Sequence, residues 1–267
     1  MSMKLMIKRS LKKKLQKILR ISDPYEFKHV PAIKRQEVTF QLKEKEFKIT
    51  SDGSTPLYET ISEILEYDCY FLKQMDFSKF DKNSVALDIG GNIGTFSMVL
   101  SAFFPGKIIC IEPLLENCRF IEMNLKNNNI SNVEVFPYAV CLSDQKLTFY
   151  KNFESVSGSL INYEGAAKTE VEGISVDRLL GKFSSIDLIK LDCEGSEYDI
   201  VPEILKICKS IKYITGEIHK CGETRGVLGE AKDVDILLQL LHKNGYETST
   251  KPDLFNRAGL TSLFAKK

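Results

Sequence analysis

From residue 85 onward, five short apolar runs alternate with segments of helical periodicity, and few architectures accommodate that order. The runs are VALDI (85–89), KIICIE (107–112), VEVFPYAV (133–140), IDLIKL (186–191) and YITGEI (213–218). The amphipathic segments between and after them predict helices near 95–104, 114–127, 196–208 and 231–244. Alternation of this kind needs a mostly parallel sheet with helices on both faces. The chain closes with GYETST (245–250) and LTSLFAKK (260–267), two strand-like pieces with no helix between them. They predict an antiparallel hairpin that completes the sheet.

Upstream the pattern differs. Val38, Phe40 and Leu42, then Phe47 and Ile49, alternate on either side of a charged turn, as in a hairpin. Leu57, Ile61, Ile64, Leu65, Leu72 and Met75 recur at helical spacing, so a helix there is expected to cover one side of the sheet. Residues 1–20 hold eight Lys or Arg and no acid, with Leu11, Leu15, Ile18 and Leu19 on one helical face. Such a helix either docks on a membrane surface or a partner, or is a terminal helix with solvated lysines. The expected division is a basic helix-and-hairpin extension over 1–50 and a main domain over 51–267.

Beyond residue 20 the chain carries 29 basic against 36 acidic side chains, a net charge of about −7. A body that acidic grips phosphate backbones poorly, so nucleic acid is not expected as the main substrate. The hydrophobic content, 43%, suits a chain with a sizeable core. No apolar stretch approaches the roughly 20 residues of a membrane span, and the start does not have the pattern of a signal peptide. Seven cysteines without a C-x-x-C pair give neither a disulfide framework nor a zinc pattern. A cytoplasmic protein is expected, with the inner face of a membrane as the place of any docking through residues 1–20.

The first apolar run leads into LDIGGNIGTF, with Asp88, Gly90, Gly91, Asn92 and Gly94 ahead of a helix. Glycines at a strand-to-helix turn permit positive φ and let a ligand approach the backbone. The spacing D-x-G-x-N-x-G does not fit the G-x-G-x-x-G template of a pyrophosphate-binding turn. An acid at the strand end suits a ligand carrying an ammonium or sulfonium charge instead. The next run ends in Glu112-Pro113, where a carboxylate can accept the hydroxyls of a ribose. Together these features point to S-adenosylmethionine.

A third motif, IDLIKLDCEGSEYDI (186–200), places Asp192, Glu194 and Glu197 around Gly195 at the exit of an apolar strand. With these segments the chain resembles the FkbM family of class I S-adenosylmethionine-dependent methyltransferases. LDIGGNIGTF is similar to the family's cofactor loop, IEP to its ribose-binding strand end, and D-x-E-G-x-E to its hallmark. The resemblance covers about residues 85–220. It implies an α/β Rossmann-like fold, a seven-stranded mostly parallel sheet in which strand seven lies antiparallel between strands five and six. It also implies that Asp88, Gly90, Asn92 and Gly94 hold the methionine portion of the cofactor, with Glu112 and Pro113 at the ribose. Ala139 and Val140, at the end of the third strand, would border the adenine. Asp144 either caps that edge or sits in an ordinary turn.

Asp192 is expected on the crevice at the carboxyl end of the fourth strand, near the transferred methyl. There it would orient an acceptor hydroxyl, hold the cofactor's amine or help bind a divalent cation. Glu197 falls in the first turn of the next helix, where the helix dipole favours a carboxylate, and Glu194 points to the crevice or to the helix amides. EIHK supplies Glu217 and His219 at i, i+2 on the fifth strand. His219 is a candidate general base, with a structural hydrogen-bonding role as the alternative. Asp192 with Glu217 or His219 is also a candidate ligand set for Mg²⁺.

The leading expectation is an O-methyltransferase acting on a hydroxyl of a sugar, glycan precursor or small natural product. The substrate class is implied by the resemblance, since fold does not fix the acceptor. N-methylation of an amino sugar, a nicotinamide-dependent oxidoreductase and a non-catalytic cofactor-binding scaffold are the alternatives. The stretch 152–163, NFESVSGSLINY, is either a lid over the acceptor or a surface loop.

Overall fold

The computed structural model describes residues 36–53, 55–151, 158–159, 167–220, 233–254 and 259–267. The helix expected over 1–20 and most of the lid expected over 152–163 lie outside the described residues. In chain order the strands and helices are β1 (Gln36–Leu42), β2 (Lys45–Ser51), α1 (Leu57–Leu65), β3 (Val85–Ile89), α2 (Thr95–Ser101), β4 (Lys107–Ile111) and α3 (Leu115–Asn127). Then follow β5 (Val133–Phe136), β6 (Ala139–Cys141), β7 (Lys146–Lys151), β8 (Gly158–Ser159), β9 (Ala167–Ser175), α4 (Val176–Leu180) and β10 (Leu188–Leu191). The last are α5 (Glu197–Ile207), β11 (Tyr213–His219), α6 (Val234–Lys243), β12 (Glu247–Pro252) and β13 (Leu260–Lys266).

The main sheet has seven strands in the order β12-β13-β11-β10-β3-β4-β5. Strands β11, β10, β3, β4 and β5 run parallel. β13 lies antiparallel to both its neighbours, β11 and β12, so the terminal hairpin inserts its last strand where expected. Order reverses between β3 and β10, and in open α/β sheets that switch point opens a crevice at the strand ends.

Why these runs are apolar throughout follows from the two covered faces. Ala86, Ile108, Cys110 and Leu188 join the core with the β1–β2 hairpin and α1. Leu87, Ile89, Ile109, Ile111, Ile189 and Leu191 pack on the other face against α4, α5 and α6. The hairpin buries Phe40 and Phe47 completely, their rings stacked at 5.6 Å. Its β2 edge is met by two side-chain amides of the α3 region. Asn124 exchanges hydrogen bonds with Thr50 (2.9 and 3.0 Å), and Asn128 with Lys48 (2.7 Å each). Those amides take the place of a neighbouring strand at an otherwise open edge.

Two expected elements come out differently. The single strand over 133–140 is broken after Phe136, because Pro137 has no N–H to donate to a ladder. Ala139 and Val140 therefore do not end the third strand of the main sheet. They form β6, which pairs with β9 in a second, four-stranded sheet of order β6-β9-β7-β8. The long helix over 57–75 stops at Leu65, and the chain continues through Phe71, held at φ 54°, into short 3₁₀ turns at Leu72–Gln74 and Phe77–Lys79. That irregular stretch carries Tyr70 under the crevice.

Candidate active site

The crevice holds an open hollow of about 670 Å³, its mouth included. Gly90 and Asn92 line it from the glycine turn, and Glu112, Pro113 and Leu114 from the end of β4. Tyr138, Ala139, Val140 and Phe149 form its apolar end, and Asp192, Cys193 and Glu194 the opposite wall. The structure thus brings Gly90, Asn92, Glu112, Pro113, Ala139, Val140 and Asp192 to one place. Ala139 and Val140 reach it from the second sheet.

The glycine turn owes its shape to positive φ at Gly90 (82°), Asn92 (52°) and Gly94 (86°). Gly94 does not line the hollow; it opens α2 and packs on Ile121. The backbone N–H of Asn92 donates to Glu112 Oε2 (2.8 Å), tying the turn to the second strand. Asn92 Oδ1 is buried and has no hydrogen-bond partner among the described residues. An orphaned acceptor on the wall of a hollow calls for a donor from a bound group, and a cofactor with amino and hydroxyl donors fits it.

Glu112 also accepts from the Leu114 N–H (3.0 Å) and from Asn117 Nδ2 (3.1 Å). Burial pushes its carboxyl up from 4.5 to about 7, against the lowering effect of those three donors. Between the unfolded and the folded value the folded chain binds the extra proton, so stability falls as pH rises through about 4.5 to 7. Urea unfolding across that window should show a steeper fall in stability for wild type than for Glu112→Gln. Identical pH dependence in both would remove this assignment.

Asp88 is not where the sequence suggested. It is fully buried on the β3 face beneath α2 and does not line the hollow. Ser97 Oγ of α2 donates to its Oδ2 (2.6 Å), and Lys190 Nζ lies 3.1 Å from its Oδ1. Strand register explains the pairing, since Lys190 stands directly opposite Asp88. The negative charge expected to meet the cofactor is neutralised inside the protein instead.

Lys190, behind the hollow, is the residue that sequence reasoning misses, although a lysine inside an apolar strand run is the signal for it. It is 2% exposed, donates to the Gly90 carbonyl (2.7 Å) and lies 3.6 Å from Asp192 Oδ2. The rings of Tyr70 and Phe96 flank it at 5.3 and 5.8 Å. Tyr70 in turn donates its hydroxyl to Asp192 Oδ2 (2.9 Å). Asp192, 25% exposed at its side chain, is therefore anchored through one oxygen.

The acidic turn after β10 is organised by Glu197. Fully buried at the start of α5, it accepts the N–H of Cys193 and of Gly195, both at 2.8 Å. Glu194 and Gly195 take φ of 53° and 108° to close around it. His219 Nδ1–H donates to Glu197 Oε1 (3.1 Å), which turns Nε2 toward Glu194 Oε2 (3.4 Å) and Asp192 Oδ1 (4.0 Å). Burial alone would lower the pKa of this ring, but Glu194 and Glu197 outweigh it and raise it to about 10. An imidazolium has no lone pair to accept a proton, so these surroundings disfavour the general-base role expected of His219.

Glu217, expected beside Asp192, is buried elsewhere. Its carboxylate lies with those of Glu63 and Asp253, apart from the hollow. Asp144 accepts the Ser175 N–H (2.7 Å) and pairs with Arg178 (2.9 Å), so it ties the turn between β6 and β7 to the start of α4. Among the described residues no helix is long and apolar enough to cross a membrane.

The chain is similar in sequence to known proteins. A family model described as "Methyltransferase FkbM domain" matches residues 88–248, more than half of the chain. AMB antimetabolite synthetase AmbE of Pseudomonas aeruginosa is 26% identical over 217 residues, a stretch covering 64% of this chain and 10% of that protein. The chain thus spans about a tenth of the length of that relative. "Methyltransferase 1" of Beauveria bassiana is 24% identical over 184 residues, covering 59% of this chain and 74% of that one. Among solved structures, M. jannaschii TYW2 in complex with AdoMet superposes with a TM-score of 0.47 and 14% identity, covering 87% of this chain and 86% of that chain. With the glycine turn, the Glu112 strand end and the acidic turn all inside the matched region, the chain belongs to the FkbM methyltransferase family and carries an S-adenosylmethionine-dependent methyltransferase domain.

Proposed function

We propose that this protein methylates a hydroxyl of a sugar, glycan precursor or other small natural product. The observation that carries the reading is the position of Asp192. It lines the same hollow as Gly90, Asn92 and Glu112, with one oxygen anchored by Tyr70 and Lys190. Its other oxygen is then placed to accept a hydrogen bond from an acceptor. S-adenosylmethionine supplies an electrophilic methyl on sulfur. Gly90 and Asn92 would hold its amino-acid end, Glu112 its ribose hydroxyls, and the apolar end at Ala139, Val140 and Phe149 its adenine.

Alignment is the main service such a site offers, since orientation can supply roughly 7–11 kcal/mol of a displacement barrier. Asp192 adds to it by orienting the acceptor hydroxyl and taking its proton as the oxygen gains the methyl group. Similarity to a protein named for antimetabolite synthesis supports a small-molecule acceptor.

Incubation with labelled methyl donor and a library of nucleotide sugars, followed by mass spectrometry, tests the acceptor class. Asp192→Asn should then slow turnover by about 10²–10⁴-fold, with affinity for S-adenosylhomocysteine preserved in calorimetry. Undiminished turnover in that variant would refute the role of Asp192. Methylation of amino sugars alone would move the reaction from oxygen to nitrogen.

A further inference from the structure

We propose that Asp192, Glu194 and His219 form a binding site for a divalent transition-metal ion of the Mn²⁺ type at the acceptor end of the hollow. This deepens the reading above and rests on it only for what the ion does there.

Three pieces of backbone deliver the ligands: the end of β10, the acidic turn and the end of β11. One donor atom from each lies within 4.8 Å of the other two. His219 Nε2 is 3.4 Å from Glu194 Oε2 and 4.0 Å from Asp192 Oδ1. An ion with bonds of ~2.1 Å sets adjacent ligand atoms ~3.0–3.4 Å apart and opposite ones ~4.2 Å apart. The two separations from Nε2 lie between those values, and the two carboxylate oxygens lie within 4.8 Å of each other, so the side chains close on an ion by rotating toward it.

The groups behind the ligands are arranged for the same purpose. Glu197 takes Nδ1–H of His219, which fixes the ring and presents Nε2 to the two carboxylates. A carboxylate behind a histidine is the usual support of a metal-binding imidazole. Tyr70 and Lys190 occupy Asp192 Oδ2, so Oδ1 is the oxygen on the His219 side. Glu194 is 34% exposed at its side chain, and both it and Asp192 line the hollow, so an ion between them keeps positions open to an incoming ligand.

Imidazole among the ligands favours first-row transition ions over Mg²⁺ and Ca²⁺, which prefer all-oxygen sites. The second acidic group, Glu63, Glu217 and Asp253, has only carboxylates and no nitrogen. An ion held by Asp192 Oδ1 would bind the acceptor's oxygen in place of the direct Asp192 contact and make its hydroxyl easier to deprotonate. Coordination uses Nε2 of a neutral ring, so the ion displaces the Nε2 proton to solvent, while Nδ1–H stays with Glu197.

The test uses the full chain, stripped with EDTA and titrated with Mn²⁺, following the free ion by electron paramagnetic resonance and the heat by calorimetry. One ion per chain is expected. Glu194→Gln, at a partly exposed position that leaves the core intact, and His219→Asn should each weaken binding by about tenfold or more. No Mn²⁺ binding at millimolar concentration, or binding unchanged in Glu194→Gln, overturns the site. Loss of binding in Asp253→Asn with none in Glu194→Gln overturns it too, by placing the ion on the other cluster. Affinity for S-adenosylhomocysteine, measured on the same sample, separates the outcomes. If it persists without Mn²⁺ binding, only the metal site falls; if it is lacking, the methyltransferase reading falls.

Discussion

Gly90→Val is expected to abolish binding of S-adenosylhomocysteine and to lower stability by several kcal/mol. A Cβ at this position would stand 1.9 Å from the Asp192 carbonyl oxygen and 2.9 Å from its carbon. The obstacle is backbone, so no side-chain rotation relieves it. Nor can the strands part cheaply. Gly90 N–H donates to the Ile111 carbonyl (2.9 Å), the Asp192 N–H to the Ile89 carbonyl (3.0 Å), and Lys190 to the Gly90 carbonyl (2.7 Å). Backbone strain at φ 82° for a β-branched residue adds ~1–3 kcal/mol to an overpacking cost of ~1–3 kcal/mol. Because the turn and Asp192 line one hollow, forcing them apart deforms the cofactor and acceptor ends together. Thermal unfolding measures the first effect and calorimetry the second. Wild-type affinity in this variant would mean that the cofactor does not use the turn.

The features visible in the sequence were those set by periodicity. The strands are apolar on both faces, with Ala86, Ile108 and Leu188 on one and Leu87, Ile109 and Ile189 on the other, because both faces are covered, and that pattern survives in one dimension. The glycine turn and Glu112 were legible for a similar reason: each is a chemical exception at the end of an apolar run. The pairing of those exceptions was not. Asp88 looks like a cofactor ligand until the register between β3 and β10 sets Lys190 opposite it. Glu217 and His219 share a strand face, yet the loops around them send one to Glu63 and Asp253 and the other to Asp192. The sheet of β6, β7, β8 and β9 was missed because its longest partners, β7 and β9, pair antiparallel across residues 152–166, a separation that local spacing does not reveal. Tyr70 was hidden in a stretch of helical periodicity that the chain abandons at Leu65.

Lys190→Met should destabilise the fold by ~3–5 kcal/mol. For a chain of this size that corresponds to a fall in Tm of about 10 °C. The residue sits between Asp88 and Thr215 in the sheet register, with its ammonium sealed beneath Tyr70 and Phe96. Burial alone would release its proton, but the nearby Asp88 and Asp192 carboxylates hold the group charged well above its ordinary value. Methionine keeps the volume and removes the charge. Asp88, fully buried, then retains Ser97 Oγ and the weak thiol donor of Cys110 at 3.8 Å. An isolated buried carboxylate costs far more than the ion pair contributed, because desolvation is no longer offset. Adding Asp88→Asn to Lys190→Met removes that orphaned charge and should recover most of the lost stability, since both partners of the pair are then gone. Urea unfolding of the two single variants and the double variant closes the cycle. If the double variant is no more stable than Lys190→Met, the ammonium is not there for Asp88, and its contact with the Gly90 carbonyl is the interaction that matters. Affinity for S-adenosylhomocysteine divides the same way. A double variant that regains stability but not affinity shows that Lys190 holds the glycine turn in the shape the cofactor needs.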